Sequence, residues 1–423
     1  MTAVKPKLCI LLNMIAPARV RLYSALAEHF ELLVLHGGTE GNRDTWRHVG
    51  KTLPNATIVR AWGWQIPIIR RERGQFFDRR YIHITPGYIW HLLKFRPAVV
   101  ISNEIGLRTI IALMYGTLFR VPVWVWWGGT LHTERKISAV RKILRSAISR
   151  RARHWISYGQ TSTEYLLSLG VRADTILEIQ NAVDESRFAT RPEPVFYPEP
   201  RPVLLCVGQL VARKGVSLLL HAAAALQKEG RKFSLLLVGS GPDEQILKQL
   251  AQDLGLSNVH FCAAQKPEVM PSIYRSGDVL VFPTLEDPWG LVANEAIFSG
   301  LPVLCSKYAG CACELFPNEN LFDPENPEEF KEKLRATLAG RLMKSDPGRL
   351  KTIAQIVTAL IHALEQSMDN TLSFRAADLK KGDSGKRIQA QGIGGVGASD
   401  PATSKNGDCI GAGAPCMSER IAR

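Results

Sequence analysis

The sequence lacks any long uninterrupted apolar run. The run at Leu8–Leu12 is too short for the core of a secretory signal, and no segment approaches the roughly 18 to 20 apolar residues that a membrane helix needs. We therefore expect a cytoplasmic protein that is either soluble or peripheral on the inner face of the membrane.

The cysteine pattern lacks the spacing of a metal site. Cys311 and Cys313 are separated by one residue and have no matching second pair, which argues against zinc. The eight cysteines are scattered, and several lie inside apolar runs, where a free thiol behaves as a small hydrophobe. This usage fits a reducing compartment.

Acidic residues are fewer than basic residues in this chain. The chain has 53 basic and 39 acidic residues, a formal charge of +14, which predicts an anionic partner of some kind. Nucleic acid, an acidic membrane surface and phosphorylated substrates would all fit. No recognised nucleic-acid-binding module accompanies the charge, so we predict no nucleic acid.

The order of apolar segments predicts two similar α/β domains. A strand at Leu8–Leu12, a helix at Arg21–His29 and a strand at Glu31–His36 form the doubly wound pattern. The pattern restarts with a strand at Val203–Val207 and a helix at Val216–Gln227. A chain of 423 residues also exceeds what one core normally serves.

These segments place the domain boundaries. We predict an N-terminal domain over 1–190, a Pro-rich linker over 191–202 and a C-terminal domain over 203–365. The extension over 366–423 is polar and Gly-rich from Lys380 and is predicted to be largely disordered. Its glycines have dinucleotide-fingerprint spacing, but no strand precedes them and no helix follows, so we reject that motif.

The most informative stretch is LVFPTLEDPWGLVANEAIFSGLPV, residues 280–303. It predicts a buried strand, a turn and a helix over Leu291–Phe298. Seven residues separate Asp287 in the turn from Glu295 in the helix, and the amides at Gly290 and Leu291 lie at the helix start. Amides and a helix N-terminus suit a phosphate, and a fixed carboxylate suits vicinal hydroxyls. Taken singly, each residue could equally be a cap, a solvated charge or core.

Taken together, the order acid, Pro, aromatic, Gly, then Glu-Ala and Ser-Gly-Leu-Pro-Val resembles the signature of retaining glycosyltransferases of family 4. These enzymes have the GT-B fold, in which two Rossmann-like domains face a cleft. The family signature has Glu, seven residues, Glu. Here Asp287 holds the first position and Glu286 lies one residue away, so the resemblance leaves both as candidates to contact the donor sugar, with Glu295 on the ribose.

The resemblance extends to the loop GQLVARKG, residues 208–215, which is similar to the family's phosphate loop. It implies that Lys214 and Arg213 grip the donor diphosphate, beside Gly208 and Gln209. The family usually has Arg where Gln209 stands. Cations here would neutralise the leaving diphosphate, as a metal does in other sugar transferases. The chain has no Asp-x-Asp triplet, and we predict no metal and no cofactor.

The first domain is expected to bind the acceptor. The loop at Asn13–Val20 has no glycine, and Arg19 is a candidate acceptor contact there, or simply a solvated charge. A second loop follows the strand at Val121–Trp127 and carries Gly129, Thr130 and His132. The resemblance implies a sugar-contacting histidine on this loop, and the alternative is a surface histidine.

Two basic segments suggest a membrane surface. Residues 135–153 hold eight basic residues and no acid, with apolar residues at helical spacing. We expect this apolar stripe to pack on the sheet and the basic face to meet anionic lipid. A second basic cluster, Arg70 to Arg80, contains Phe76 and Phe77.

The sequence therefore predicts a retaining, metal-independent hexosyltransferase. Its donor would be a nucleotide-diphosphate sugar and its acceptor lipid-linked or a saccharide, in cell-surface polysaccharide or glycolipid synthesis. One alternative is a nucleotide-sugar epimerase of the same fold, for which no suitable His and acid pair was found. The other is a catalytically silent sugar-nucleotide-binding protein.

Overall fold

A computed structural model describes residues 4–38, 53, 55–72, 75–190 and 192–390 of the chain. The strands are β1 (Lys7–Leu12), β2 (Glu31–His36), β3 (Ala56–Arg60), β4 (Trp64–Glu72), β5 (Gln75–Ile84), β6 (Val99–Asn103), β7 (Val123–Trp127), β8 (His154–Ser157), β9 (Ile176–Glu178), β10 (Val203–Val207), β11 (Ser234–Val238), β12 (Val259–Cys262), β13 (Val279–Phe282), β14 (Val303–Ser306) and β15 (Leu321–Phe322). The helices are α1 (Val20–His29), α2 (Gly87–Phe95), α3 (Leu107–Phe119), α4 (Ala139–Ser149), α5 (Gln160–Ser168), α6 (Ser186–Ala189), α7 (Val216–Lys228), α8 (Glu244–Asp253), α9 (Met270–Arg275), α10 (Leu291–Phe298), α11 (Ala312–Leu315), α12 (Pro327–Leu338) and α13 (Ile353–Ala390).

The first domain is built on a seven-stranded parallel sheet in the order β3-β2-β1-β6-β7-β8-β9. Strand β1, in the interior of this sheet, is apolar on both sides, as expected for a parallel sheet covered on both faces. Leu8 and Ile10 pack with α1 and α13 on one face. Cys9 and Leu11 pack with α2 and α3 on the other. The expected strand, helix, strand order at the start of the chain is confirmed.

An antiparallel hairpin, β4–β5, is inserted between β3 and α2. The sequence analysis identified only its basic residues and did not predict the hairpin. Side chains on a strand alternate between two faces, so the register defines which residues point the same way. Gln65 lies on the face that meets the sheet, because its Nε2 donates to the carbonyl of Gly37 at 2.8 Å.

The second domain repeats the architecture with six parallel strands in the order β12-β11-β10-β13-β14-β15. Strand β10 and helix α7 begin at the predicted residues, and α10 has the predicted bounds. The two Rossmann-like domains are the architecture that the sequence predicted, and the fold class is confirmed.

The final helix returns to the first domain. Ile356, Leu360 and Leu364 of α13 are buried in the same core cluster as α1 and β1, although the sequence analysis assigned residues 203–365 to the second domain. The chain passes from the first domain to the second after Gln180 and returns near Arg349. Gln180, which is only 6% exposed, connects these two passages. Its Nε2 donates to the carbonyl of Arg349 at 2.9 Å, and its Oε1 accepts from the amide of Lys351 at 2.8 Å.

The C-terminal extension is only partly described. Helix α13 runs to Ala390, so part of the segment predicted to be disordered is helical. The rest of that prediction, including the rejected glycine motif, lies at 391–423, outside the described residues. Among the described residues, no helix is both long and apolar enough to cross a membrane.

The basic segment over 135–153 forms the shorter helix α4, and the expected packing of its apolar stripe is wrong in part. Ile148 of the predicted stripe is buried, but Val140 is 75% exposed and Ala147 is also exposed. Arg145 is buried instead, because its guanidinium pairs with Glu134 and donates to the Tyr165 hydroxyl at 2.6 Å. On α4 a paired basic residue is thus buried while part of the apolar stripe is exposed.

Candidate functional site

The candidate site forms where three loops of the second domain meet, and glycines permit the close approach. Gly215 has φ +68°, and a Cβ there would lie 2.0 Å from the carbonyl oxygen of Pro283. Gly290 has φ +103°, and a Cβ there would lie 2.4 Å from the Phe282 ring. These are left-handed conformations that favour glycine. The loop before α10 is further braced by the amide of Gly310, which donates to the Asp287 carbonyl at 3.0 Å.

The phosphate loop places Lys214 against Asp287, with which it forms an ion pair. Asp287 also accepts from the amide of Trp289 at 3.1 Å. Burial alone would raise the pKa of Asp287, but the charges of Lys214 and Arg213 outweigh it and hold that pKa below its usual value. Burial lowers the pKa of Lys214, and the Asp287 carboxylate opposes this fall.

Arg213 reaches the first domain. Its Nε lies 3.1 Å from Oδ2 of Asp78 on β5, and its Nη1 donates to the Glu286 carbonyl at 3.2 Å. Its Nη2 lies 3.5 Å from Oε1 of Gln209, the residue that stands where the family has arginine. Each cation predicted for the diphosphate therefore has a carboxylate beside it. An anionic ligand would take the place of these carboxylates as the partner of the two cations.

Glu286 is held by arginines of the first domain. Both of its carboxylate oxygens accept from Nη1 of Arg70 at 2.8 Å, and Arg80 forms a second ion pair. Arg135 contributes a third, with Nη1 3.4 Å from Oε2. Glu286 is only 2% exposed. Three guanidinium groups thus face one carboxylate at the edge of the site, and Nε of Arg80 also lies 3.8 Å from Oδ2 of Asp78.

Glu295 lies one turn into α10 and is partly buried. The hydroxyl of Tyr274 donates to its Oε2 at 2.6 Å. Burial raises the pKa of Glu295 to about 7, although the Tyr274 hydrogen bond and the positive charge of Arg187 oppose the rise. The carboxyl group is therefore poised between its two protonation states near neutral pH.

His132 crosses from the first domain to the second. Its Nε2 lies 2.9 Å from the carbonyl of Leu285, so this nitrogen carries the proton. Its ring stacks on Tyr308 with centroids 4.0 Å apart. Burial lowers the pKa of His132, with the Leu285 contact opposing the fall. The residue is half-buried beside the loop that carries Glu286, rather than a surface histidine.

The other predicted residues of the first domain are tied into its own structure. Thr130 accepts from the amide of Thr133 at 3.2 Å and is 5% exposed. A Cβ at Gly129 would lie 2.4 Å from the Trp127 ring. Arg19 is also buried, with its guanidinium 4.3 Å from the Trp126 ring. These contacts fix Thr130, Gly129 and Arg19 within the first domain, and their role in acceptor binding stays a prediction.

The structure therefore unites most of the predicted donor residues and adds several that the sequence analysis missed. Gly208, Gln209 and Lys214 line one small pocket. Leu291 is the first residue of α10, so its amide lies at the helix N-terminus as predicted. The missed residues are Arg70, Asp78, Arg80, Arg135 and Tyr274. The many β-branched and aromatic residues of β4 and β5 were the available signal for the hairpin.

No cluster of three or more His, Cys, Asp or Glu side chains suited to a metal occurs in the described part of the chain. The cations around the candidate site are instead Lys and Arg side chains.

Comparison with known proteins supports the resemblance in the second domain. Residues 189–354 match the family model described as glycosyl transferases group 1. The chain is 32% identical over 175 residues to a D-inositol 3-phosphate glycosyltransferase of Corynebacterium urealyticum, covering 39% of each protein. A protein of the same name from Nocardia farcinica is 36% identical over 118 residues, 26% of each. The matched segment thus spans about two fifths or less of these curated relatives.

Solved structures extend the likeness to both domains. Sucrose-phosphate synthase from Thermosynechococcus elongatus superposes with a TM-score of 0.61 at 19% identity, over 91% of this chain and 99% of that protein. HepE of Anabaena, in complex with UDP and glucose, gives 0.60 at 17% identity over 87% and 99%. At these identities the likeness shows the fold, which is GT-B.

Proposed function

We propose that this protein is a glycosyltransferase that moves a hexose from a nucleotide-diphosphate sugar to a hydroxyl of a lipid-linked or saccharide acceptor. The observation that carries the proposal is the meeting of Lys214 and Arg213 with Asp287 at the N-terminus of α10, with Glu295 one turn further on. The names of the curated relatives, and the UDP and glucose bound to HepE, support the same class of donor.

In the proposed complex, the diphosphate binds Lys214, Arg213 and the amides at Gly290 and Leu291. Glu295 accepts hydrogen bonds from the ribose hydroxyls, and Asp287 or Glu286 contacts the sugar. This set of cations can neutralise the charge that grows on the leaving group without a metal ion. Metal independence therefore belongs to the proposal.

We further propose that the anomeric configuration is retained, as the resemblance to family 4 implies. The bond from C1 of the sugar to the phosphate oxygen breaks, and a bond from C1 to the acceptor oxygen forms on the same face. The leaving diphosphate takes the proton of the acceptor hydroxyl. His132 lies beside the loop that carries both candidate acids and would contact the sugar.

Binding of nucleoside diphosphates tests the proposal. We expect UDP, ADP or GDP to raise the melting temperature with or without chelator, since a ligand at 100 times its Kd stabilises by about 2.7 kcal/mol. Lys214→Ala should weaken binding by about tenfold to a hundredfold, as loss of a charge-assisted contact does. Lys248→Ala is the control, because Lys248 pairs with Glu244 on α8. Equal binding by both variants, or binding that chelator abolishes, would contradict this assignment.

Transfer separates an enzyme from a silent sugar-nucleotide-binding protein. Release of nucleoside diphosphate from the corresponding nucleotide sugar, accelerated by added acceptor, would be the enzyme's signature. Binding without any release or transfer would favour the silent protein.

We also propose a peripheral position on the cytoplasmic face of the membrane. The outer face of α4 supports it, because exposed Val140 and Ile143 flank Arg141 and Lys142. Each cation near an anionic surface contributes roughly 1 kcal/mol. Sedimentation with anionic vesicles should therefore fall as salt rises, and equal binding to neutral vesicles would rule out this mode of attachment.

A further inference from the structure

One face of the β4–β5 hairpin is apolar along most of its length and charged at one end. Residues paired across the two strands share a face of an antiparallel ladder. The pairs on this face are Trp64 with Ile84, Ile66 with Ile82, Ile68 with Arg80, and Arg70 with Asp78. At about 3.4 Å per residue, the face runs roughly 20 Å from Trp64 to Arg70.

This face is turned away from the sheet of the first domain and towards the candidate site. The opposite face carries Gln65, which donates to the Gly37 carbonyl on that sheet. At the charged end, Arg70 and Arg80 pair with Glu286, and Asp78 lies 3.1 Å from Arg213. The apolar row therefore leads directly to the residues proposed to bind the donor.

The row is open to solvent. Trp64 is 54% exposed, Ile66 is 47% exposed and Ile82 is 40% exposed. Trp62 extends the surface, since its ring meets that of Trp64 edge to face with centroids 4.5 Å apart. Isoleucine side chains offer no hydrogen bonds to a saccharide, whereas burying them against hydrocarbon is favourable at roughly 25 cal/mol per Å².

The charge at the end of the row selects the kind of hydrocarbon. In the part of the chain that the structure describes, two carboxylates, those of Glu286 and Asp78, pair with the more numerous guanidinium groups of Arg70, Arg80, Arg135 and Arg213. An amphiphile with an anionic head matches both parts of the face. A bare hydrocarbon matches only the apolar part of the face, and a neutral sugar matches neither part.

We propose that this face binds a lipid-linked acceptor in which a phosphate joins the hydrocarbon chain to the head group that carries the acceptor hydroxyl. Its hydrocarbon chain lies along Trp64, Ile66 and Ile82, and its phosphate lies at the end marked by Arg70 and Arg80. The inference rests on the proposed glycosyltransferase function and selects the lipid-linked class of acceptor. In this arrangement the acceptor's head group lies next to the proposed donor site.

Farnesyl phosphate, used below its micellar concentration, is the probe for this site. We expect calorimetric binding that is stronger than that of inorganic phosphate or farnesol. The double variant Ile66→Ser, Ile82→Ser should weaken farnesyl phosphate binding by at least about tenfold and leave UDP affinity unchanged. The matched control is Met114→Ser, Leu118→Ser on α3, whose side chains are 66% and 75% exposed. It should bind both ligands as the wild type does.

Equal farnesyl phosphate affinity in the hairpin and control variants would overturn the proposal. Loss of vesicle binding by the hairpin variant, with farnesyl phosphate affinity retained, would also overturn it and make the face a membrane contact. Wild-type protein that binds UDP but not farnesyl phosphate would refute the acceptor site alone. Failure to bind any nucleoside diphosphate would instead refute the proposed function.

Discussion

The loop before α10 and the helix itself each carry a glutamate, and the surroundings of these two side chains differ in charge. Glu286 is 2% exposed and is held by three arginines of the other domain. Glu295 receives a tyrosine hydroxyl, and burial raises its pKa to about 7. A carboxylate already saturated by cations has little capacity to accept ligand hydroxyls, whereas Glu295 retains it.

The difference assigns separate tasks to residues that the sequence presented together. Glu286 joins the domains, and Glu295 remains the acid that we propose to contact the ribose. Asp287, in register with the family signature, then becomes the stronger candidate for the sugar contact.

The largest effect that we expect is a loss of stability on substitution of Glu286, which distinguishes this residue from Asp287. Glu286→Gln leaves three guanidinium groups without their carboxylate, and breaking a buried ion pair from one side costs about 3 kcal/mol of unfolding free energy. Urea unfolding measures this loss. The control is Glu328→Gln, since Glu328 pairs with Lys331 at the surface and should change stability little.

Asp287→Asn should instead lower transfer about a hundredfold while the free nucleoside diphosphate still binds, because this acid is proposed to contact the sugar alone. Should Glu286→Gln abolish transfer at unchanged stability while Asp287→Asn transfers normally, the two roles are reversed.

The smaller effect concerns Glu295. Glu295→Gln removes the charge proposed to hold the ribose, so we expect about tenfold weaker binding of the nucleoside diphosphate at pH 8. A 2′,3′-dideoxy nucleoside diphosphate should bind both proteins equally weakly. In the wild type, affinity should rise as the pH passes through about 7, and the part of this rise due to Glu295 should vanish in the variant.

Stability gives the same residue a second, independent test. The folded pKa of about 7 lies above the ordinary value of 4.5, so the native state binds more protons than the unfolded state between these limits. Wild-type stability should therefore fall as the pH rises through this range, by about 1 to 3 kcal/mol. Glu295→Gln should be more stable than wild type at pH 8, and a less stable variant would show that the carboxylate supports the fold.

Much of this architecture was predictable because local patterns determine it. The apolar runs that became β1, β2 and β10 are buried on both faces, and such runs are recognisable without tertiary information. Lys214, Asp287 and Glu295 were predicted because each lies in a motif with fixed spacing.

The missed features depend on contacts between distant parts of the chain. Arg70 and Glu286 are 216 residues apart, and nothing near either residue predicts their pairing. The burial of Arg145 against Glu134, while Val140 on the same helix is exposed, is likewise something that helical periodicity does not report.

The link made by Gln180 has a consequence for motion. The chain passes between the domains twice, and this buried side chain fastens the first passage to the return at Arg349 and Lys351. Because the two passages are joined at one edge, the domains can rotate about that edge more easily than they can slide or twist against each other. Any opening of the cleft would then swing the hairpin and the α10 loop apart along an arc, parting Arg70 from Glu286 and Asp78 from Arg213 in a single movement.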